Sequence, residues 1–187
     1  FNNVSFIAED LGSLTPEVHK MLADSGLPGM KVLEFAFDPN SLSDYLPHRI
    51  GENSICYAGT HDNNTLRGWI DEESAETLAF AREYLGIGEN DDLAAAVLRA
   101  GMRSKAELFV FQMQDVLGLG AEARINTPGT VGGNWCWRAL PGAFTPELAQ
   151  KLHDAMELYG RLPEETAAEP DETEKSEDAE KAAKPKT

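Results

Sequence analysis

Positive charge is scarce in this 187-residue chain, where 16 lysines and arginines face 32 aspartates and glutamates for a net charge of -16. A field of that sign repels polyanions, so nucleic acid and anionic membrane are excluded as natural partners, while a neutral ligand such as a sugar is not penalised. Long apolar runs are missing too. No stretch approaches the roughly 20 residues that span a bilayer, so a soluble protein is expected. Cysteine is limited to Cys56 and Cys136. Neither belongs to a C-x-x-C pair, and two thiols make no disulfide scaffold, which predicts buried free thiols in a reducing cytosol. The chain opens at Phe1 without an initiator methionine or a basic-then-apolar leader, and so reads as the interior of a longer, cytoplasmic protein.

Two signatures are absent as well. No G-x-G-x-x-G or P-loop supports a nucleotide site. The histidines His19, His48, His61 and His153 are scattered, with no H-x-x-x-H or H-E-x-x-H among them. Neither a metal centre nor an organic cofactor is expected.

What is present is an alternation of short apolar runs with helical segments. Val4–Ala8, Met30–Phe37, Ser54–Ala58 and Leu108–Phe111 read as strands, each closed by polar or turn residues. Thr15-Pro16-Glu17 reads as N-cap, first helical position and first-turn acid of a helix that ends near Gly26. Further helices are predicted over Ala75–Leu85, from Asp91 to about Ala100, and from Thr145-Pro146, where Leu148, Leu152, Met156 and Tyr159 recur at helical spacing. Nearly all-apolar strands alternating with helices imply an α/β protein whose parallel sheet is covered on both faces. Four such units fit half of a (β/α)8 TIM barrel, and an open doubly wound sheet is equally compatible with the spacing. From Pro163 the chain turns to Glu, Asp, Ala, Lys, Pro and Thr without a large apolar residue. That composition predicts a disordered acidic tail over 163–187 behind a single folded unit, 1–162.

Two predicted strands end in acids on one rim: Glu9 after VSFIA and Asp62 after ICYAGTH. In a barrel, strand C-termini form the mouth, where partial burial raises a carboxyl pKa for acid work. Two converging carboxyl groups are the minimum for cleaving a glycosidic bond, although acids after strands also cap helices. His61 beside Asp62 offers a donor to a sugar hydroxyl or, equally, a clip for its own loop. Tyr57, Trp69, Trp135 and Trp137 are candidate stacking platforms or core residues. Asn126, in the turn-rich segment 122–130, presents both a donor and an acceptor.

Longer motifs narrow the choice. IAEDLG at 7–12, GLPGMKVLEFAF at 26–37, YAGTHDNNT at 57–65, QDVLGLGAEARINTPGT at 114–130 and GNWCWR at 133–138 occur in order. Together they resemble the amylomaltases, the 4-α-glucanotransferases of glycoside hydrolase family 77. The resemblance covers about residues 1–160 and implies strands five to eight of a (β/α)8 barrel and a retaining double displacement. It implies Glu9 as general acid/base and Asp62 as the aspartate that stabilises the oxocarbenium-like transition state. It also implies His61 as a sugar-binding neighbour, with Asn126 and Phe35 bordering the cleft. The substrates implied are α-1,4-glucans (maltodextrins) and glucose. The family's nucleophilic aspartate sits at the end of the fourth strand, upstream of IAEDLG, so the expectation is a chain inactive without the missing N-terminal half. Two open strand edges predict poor solubility or self-association. The competing readings are a non-catalytic glucan-binding fragment and an α-glucan hydrolase.

Overall fold

The computed structural model describes residues 4–163, and the acidic segment expected to be disordered lies almost wholly outside them. Three parallel strands form one sheet in the order β1 (Gly29–Val32), β2 (Ser54–Tyr57), β3 (Leu108–Val110). The register pairs Met30 with Ile55 and Cys56 with Phe109, so all three C-terminal ends point to the same rim. Parallel neighbours require long crossovers, and helices supply them. Those helices are α1 (Pro16–Ser25), α2 (Leu66–Glu72), α3 (Ala75–Leu85), α4 (Leu93–Arg103), the short α5 (Met113–Val116) and α6 (Pro146–Leu158).

The core lies between the sheet and the layer of α2, α3 and α4. Leu33, Phe37, Cys56, Leu66, Leu93 and Val97 are its most enclosed side chains. In α4 the buried stripe Leu93, Ala94, Val97, Ala100, Gly101 follows helical period, and Asp92 caps the helix by accepting from Ala95 N at 3.2 Å. Beyond α6, Arg161 donates to the carbonyls of Met102, Ser104 and Ala106 at 3.1, 2.6 and 2.7 Å. One planar guanidinium thereby satisfies the end of α4 and the approach to β3.

Two predicted strands are corrected. Val4–Ala8 is irregular, tied by Ala8 N to Pro28 O at 2.9 Å, and Val4, Phe6 and Ile7 stay about half exposed. An apolar run becomes a strand only where a neighbour completes its ladder, and among the described residues none does. Met30–Phe37 is extended only to Val32, then rolls into a 3-10 turn over Leu33–Phe35. Its apolar residues are buried as expected, but on a turn rather than a strand. Helix α2 was not anticipated, because Gly68 and the short span weaken its helical signal. Tertiary structure supplies what propensity lacks: Thr65 Oγ1 accepts from Gly68 N at 3.1 Å, and the Asp115 carboxylate accepts from Leu66 N at 2.7 Å. Gly68 is required there, since the Asn64 side chain fills the space a Cβ would take. At the other end of the sheet Leu108 and Val110 remain 49% and 37% exposed, which leaves apolar surface at both of its edges.

The joint between α4 and β3 yields a stability prediction. A Cβ on Gly101 would fall inside the Phe109 ring. Alanine gains about 1 kcal/mol of helix propensity, but overpacking of this kind costs about 1–3 kcal/mol. Gly101→Ala is therefore expected to lower the urea midpoint. A raised midpoint would mean that the Phe109 ring yields freely.

Candidate active site

The loop after β2 is built by its own side chains. Asn63 Oδ1 accepts from Thr60 N at 2.9 Å and Thr60 Oγ1 at 2.7 Å, and Asp62 N donates back to Thr60 Oγ1 at 3.2 Å. Gln112, just beyond β3, donates to Thr60 O at 3.0 Å. These bonds hold His61 and Asp62 outward at the strand rim, half exposed to solvent. Beneath them Glu34 enters from the turn after β1, and a Cβ on Gly59 would meet its Oε1 at 2.5 Å. Only glycine lets the backbone pass so close to that carboxyl.

A cleft of about 1300 Å³ opens on this rim. Its walls include Glu9, Phe35, Tyr57, His61, Asp62, Trp135 and Trp137. Asn126 Nδ2 donates to Asp62 Oδ1 at 2.6 Å, and His61 Nε2 lies 3.2 Å from the same oxygen. The His61 ring lies 5.2 Å from the Trp135 ring at 34°. Trp135 is the one non-glycine residue with positive φ, at 63°, among the described residues. Its N–H donates to Ile125 O at 2.7 Å, so the strained backbone is locked to the Asn126 loop. Strain of this kind persists where surroundings over-determine it, commonly beside functional groups.

The sequence-predicted residues thus fall on one feature, with exceptions. Glu9, Asp62, His61 and Phe35 line the cleft, and Asn126 reaches it through Asp62. Glu9 is exposed, without the partial burial expected of it. Its neighbour Asp10 points away, as expected, and accepts from Met30 N at 2.6 Å, a structural tie to β1. Trp69 is a core residue, 6% exposed and packed on Phe37 at 6.0 Å, so it offers no platform. Cys136 is exposed rather than buried, because it sits in the rim loop between Trp135 and Trp137. Its partner Cys56 is enclosed on β2, as expected. One cluster with metal-ligand spacing occurs among the described residues, His153, Asp154 and Glu157. All three are exposed on α6, outside the cleft lining, and an acidic helix face of this kind is ordinary.

Sequence reasoning missed what lies behind the rim. Glu34 is 8% exposed with Oε1 unpartnered among the described residues. Burial pushes its carboxyl up to about 8, reinforced by Asp115 and Glu72 and opposed by Asn63 and Arg124. Asp115 on α5 is pushed up to about 6, again by burial, against the N–H bonds it accepts from Leu66 and Gln112. Arg124 donates Nη2–H to Asp62 O at 2.6 Å and Nε–H to Asn126 O at 2.9 Å. A lone acid inside the apolar MKVLEFAF run was the available signal for Glu34. Nothing in the sequence distinguishes Arg124 from an ordinary surface cation.

The Glu34 shift has a defined sign. The folded state holds this proton up to about pH 8, whereas the unfolded chain releases it near 4.5. Below the lower value Glu34 costs nothing; the cost grows between the two and is complete above the higher one. Glu34→Gln is therefore expected to match the parent near pH 5 and to exceed its stability at pH 8.5 by about 2–4 kcal/mol. Urea unfolding across that range reads it, and a pH-independent difference would contradict the buried, protonated Glu34.

With the geometry in place, comparison with known proteins is direct. The family described as 4-alpha-glucanotransferase, glycoside hydrolase family 77, matches residues 1–142. A 4-alpha-glucanotransferase of Thermus thermophilus is 43% identical over 169 residues, 87% of this chain and 34% of the relative. One from Clostridium butyricum is 44% identical over 160 residues, 85% of this chain and 33% of its own. An amylomaltase from Streptococcus agalactiae, solved in complex with acarbose, superposes with a TM-score of 0.79 at 37% identity, over 84% of this chain and 32% of that one. The chain spans about a third of the length of these relatives. It belongs to the 4-alpha-glucanotransferase family, glycoside hydrolase family 77.

Proposed function

We propose that this chain supplies the acid/base and the charge-stabilising aspartate of a 4-α-glucanotransferase acting on α-1,4-glucans in the cytoplasm. The observation that carries the reading is the shared cleft, with Glu9 and Asp62 in one wall set and Asp62 gripped by Asn126 beside His61 and Trp135. Family membership and the acarbose held by the Streptococcus agalactiae relative support a glucan as occupant.

The chemistry follows from retaining glycoside transfer. Glu9, protonated, gives its proton to the leaving glycosidic oxygen as an attacking carboxylate bonds to the anomeric carbon. Glu9, now ionised, takes the proton from the 4-hydroxyl of an incoming glucan, whose oxygen displaces the carboxylate. Asp62 faces the positive charge that develops on the ring in both steps, and Asn126 fixes the carboxylate's orientation. His61 offers a ring N–H to a sugar hydroxyl, while Phe35, Tyr57 and the two tryptophans offer apolar faces to glucose CH groups. Transfer prevails over hydrolysis where such faces hold an acceptor sugar more firmly than water.

In this proposal the attacking carboxylate comes from outside these residues. Residues 4–8, β1, β2 and β3 then stand as strands five to eight of a (β/α)8 barrel. The apolar surface at both sheet edges suits such a complement: Phe6 and Ile7 on one side, Leu108 and Val110 on the other. No cofactor enters any step.

Incubation with maltotriose tests the proposal. Alone, the chain is expected to leave the sugar unchanged. Joined to the remainder of a relative's chain, it is expected to yield glucose and a ladder of longer maltodextrins. Glu9→Gln should lower the rate about 10²–10⁴-fold, as loss of a general acid/base does, and Asp62→Asn about 10²–10³-fold. Turnover by the unjoined chain would place the nucleophile within it. Products that are only shorter would make the enzyme a hydrolase.

A further inference from the structure

We propose that Arg124 is the positioning residue of this site, the tie that holds the Asp62 and Asn126 loops in one fixed relation; the inference rests on the function proposed above.

The two loops come from distant parts of the chain. They meet through one side-chain bond, Asn126 Nδ2 to Asp62 Oδ1 at 2.6 Å. Alone, that bond joins a carboxylate to an amide across a solvent-exposed mouth, and either side chain can turn away. Arg124 removes this freedom from below. Its Nη2–H goes to the Asp62 carbonyl at 2.6 Å and its Nε–H to the Asn126 carbonyl at 2.9 Å. Three hydrogen bonds then close a ring through both backbones and both side chains. A guanidinium presents these donors in a fixed plane, so the separation of the two carbonyls is set by the geometry of the fork.

Two further observations separate this role from sugar binding and from charge pairing. Arg124 does not line the main cleft; it borders the smaller cavity behind the rim, with Glu34, Asn63, Asn64, Glu72 and Glu73. Despite those acids, no carboxylate among the described residues lies within 4.0 Å of its guanidinium, and the Arg124 bonds go to backbone carbonyls. The neighbouring Glu34 is buried with an unpartnered Oε1, so it does not draw the guanidinium away as an ion-pair partner. Arg124 therefore acts on the reaction through the placement of Asp62. A charge displaced by an ångström at the transition state costs rate far more than it costs ground-state binding.

The test uses the chain joined to the remainder of a relative, with maltotriose and glucose release as readout. Arg124→Lys keeps the charge and loses the fork. Its kcat is expected to fall about 10–100-fold with KM within about 3-fold, while the thermal midpoint moves little. The Arg124→Lys/Asn126→Ala double variant is expected to lose little more than the worse single one, since both act on one carboxylate. Wild-type kcat in Arg124→Lys, a rise in KM alone, or fully additive losses would each overturn the positioning role while leaving the proposed function standing. If Arg124→Lys does not fold, the role is purely structural and the inference fails. An inactive unaltered joined protein would instead overturn the function proposed above, and this inference with it.

Discussion

The passage of the backbone over a buried carboxyl at Gly59 governs the rest of the site. β2 ends there because the Glu34 side chain occupies the space beneath, and the loop that follows has to rise over it. Thr60 and Asn63 turn that rise into a closed hydrogen-bonded loop. His61 and Asp62 are consequently delivered to the rim of the sheet. Any side chain at position 59 would collide with Glu34 or Asn63 and move both residues.

This arrangement spends stability on geometry. Glu34 and Asp115 are carboxyl groups held in a poorly solvated layer, with one oxygen of each unpartnered among the described residues. Apolar side chains of similar volume would fill the layer at lower cost. What the acids provide is direction: the other Asp115 oxygen starts α2 at Leu66, and Glu34 sets the path of the loop above it. Trp135 adds backbone strain in the same neighbourhood. Costs of this kind collect where a fold positions chemistry.

The sequence revealed the outward-facing part of this design and little of the inward-facing part. Short apolar runs ending in Asp62 and in the Glu9–Asp10 pair were visible because strands must be apolar and must stop. α3 was legible to the residue, because Ser74 and Gly86 bound it with ordinary caps. α2 was hidden, since its start depends on a carboxylate 49 residues away. The strand expected over Met30–Phe37 failed for a related reason. Burial alone cannot tell a strand from a turn that is equally enclosed, and Glu34, the odd residue in the run, marked where the turn falls. Long motifs carried the functional assignment, since two acids after two strands are common in α/β proteins. Arg124 left no mark, because its role is visible only when the two carbonyls it binds are brought together.

The central claim is that this chain, by its own contacts, holds Asp62 against Asn126 at the mouth of the cleft. The side-chain amide of Asn126, followed by ¹⁵N–¹H correlation spectroscopy in the isolated chain, measures that contact directly. The account predicts a shifted, well-dispersed Asn126 NH₂ pair that returns to the free-amide position in Asp62→Ala. A free-amide signal in the unaltered chain would contradict it.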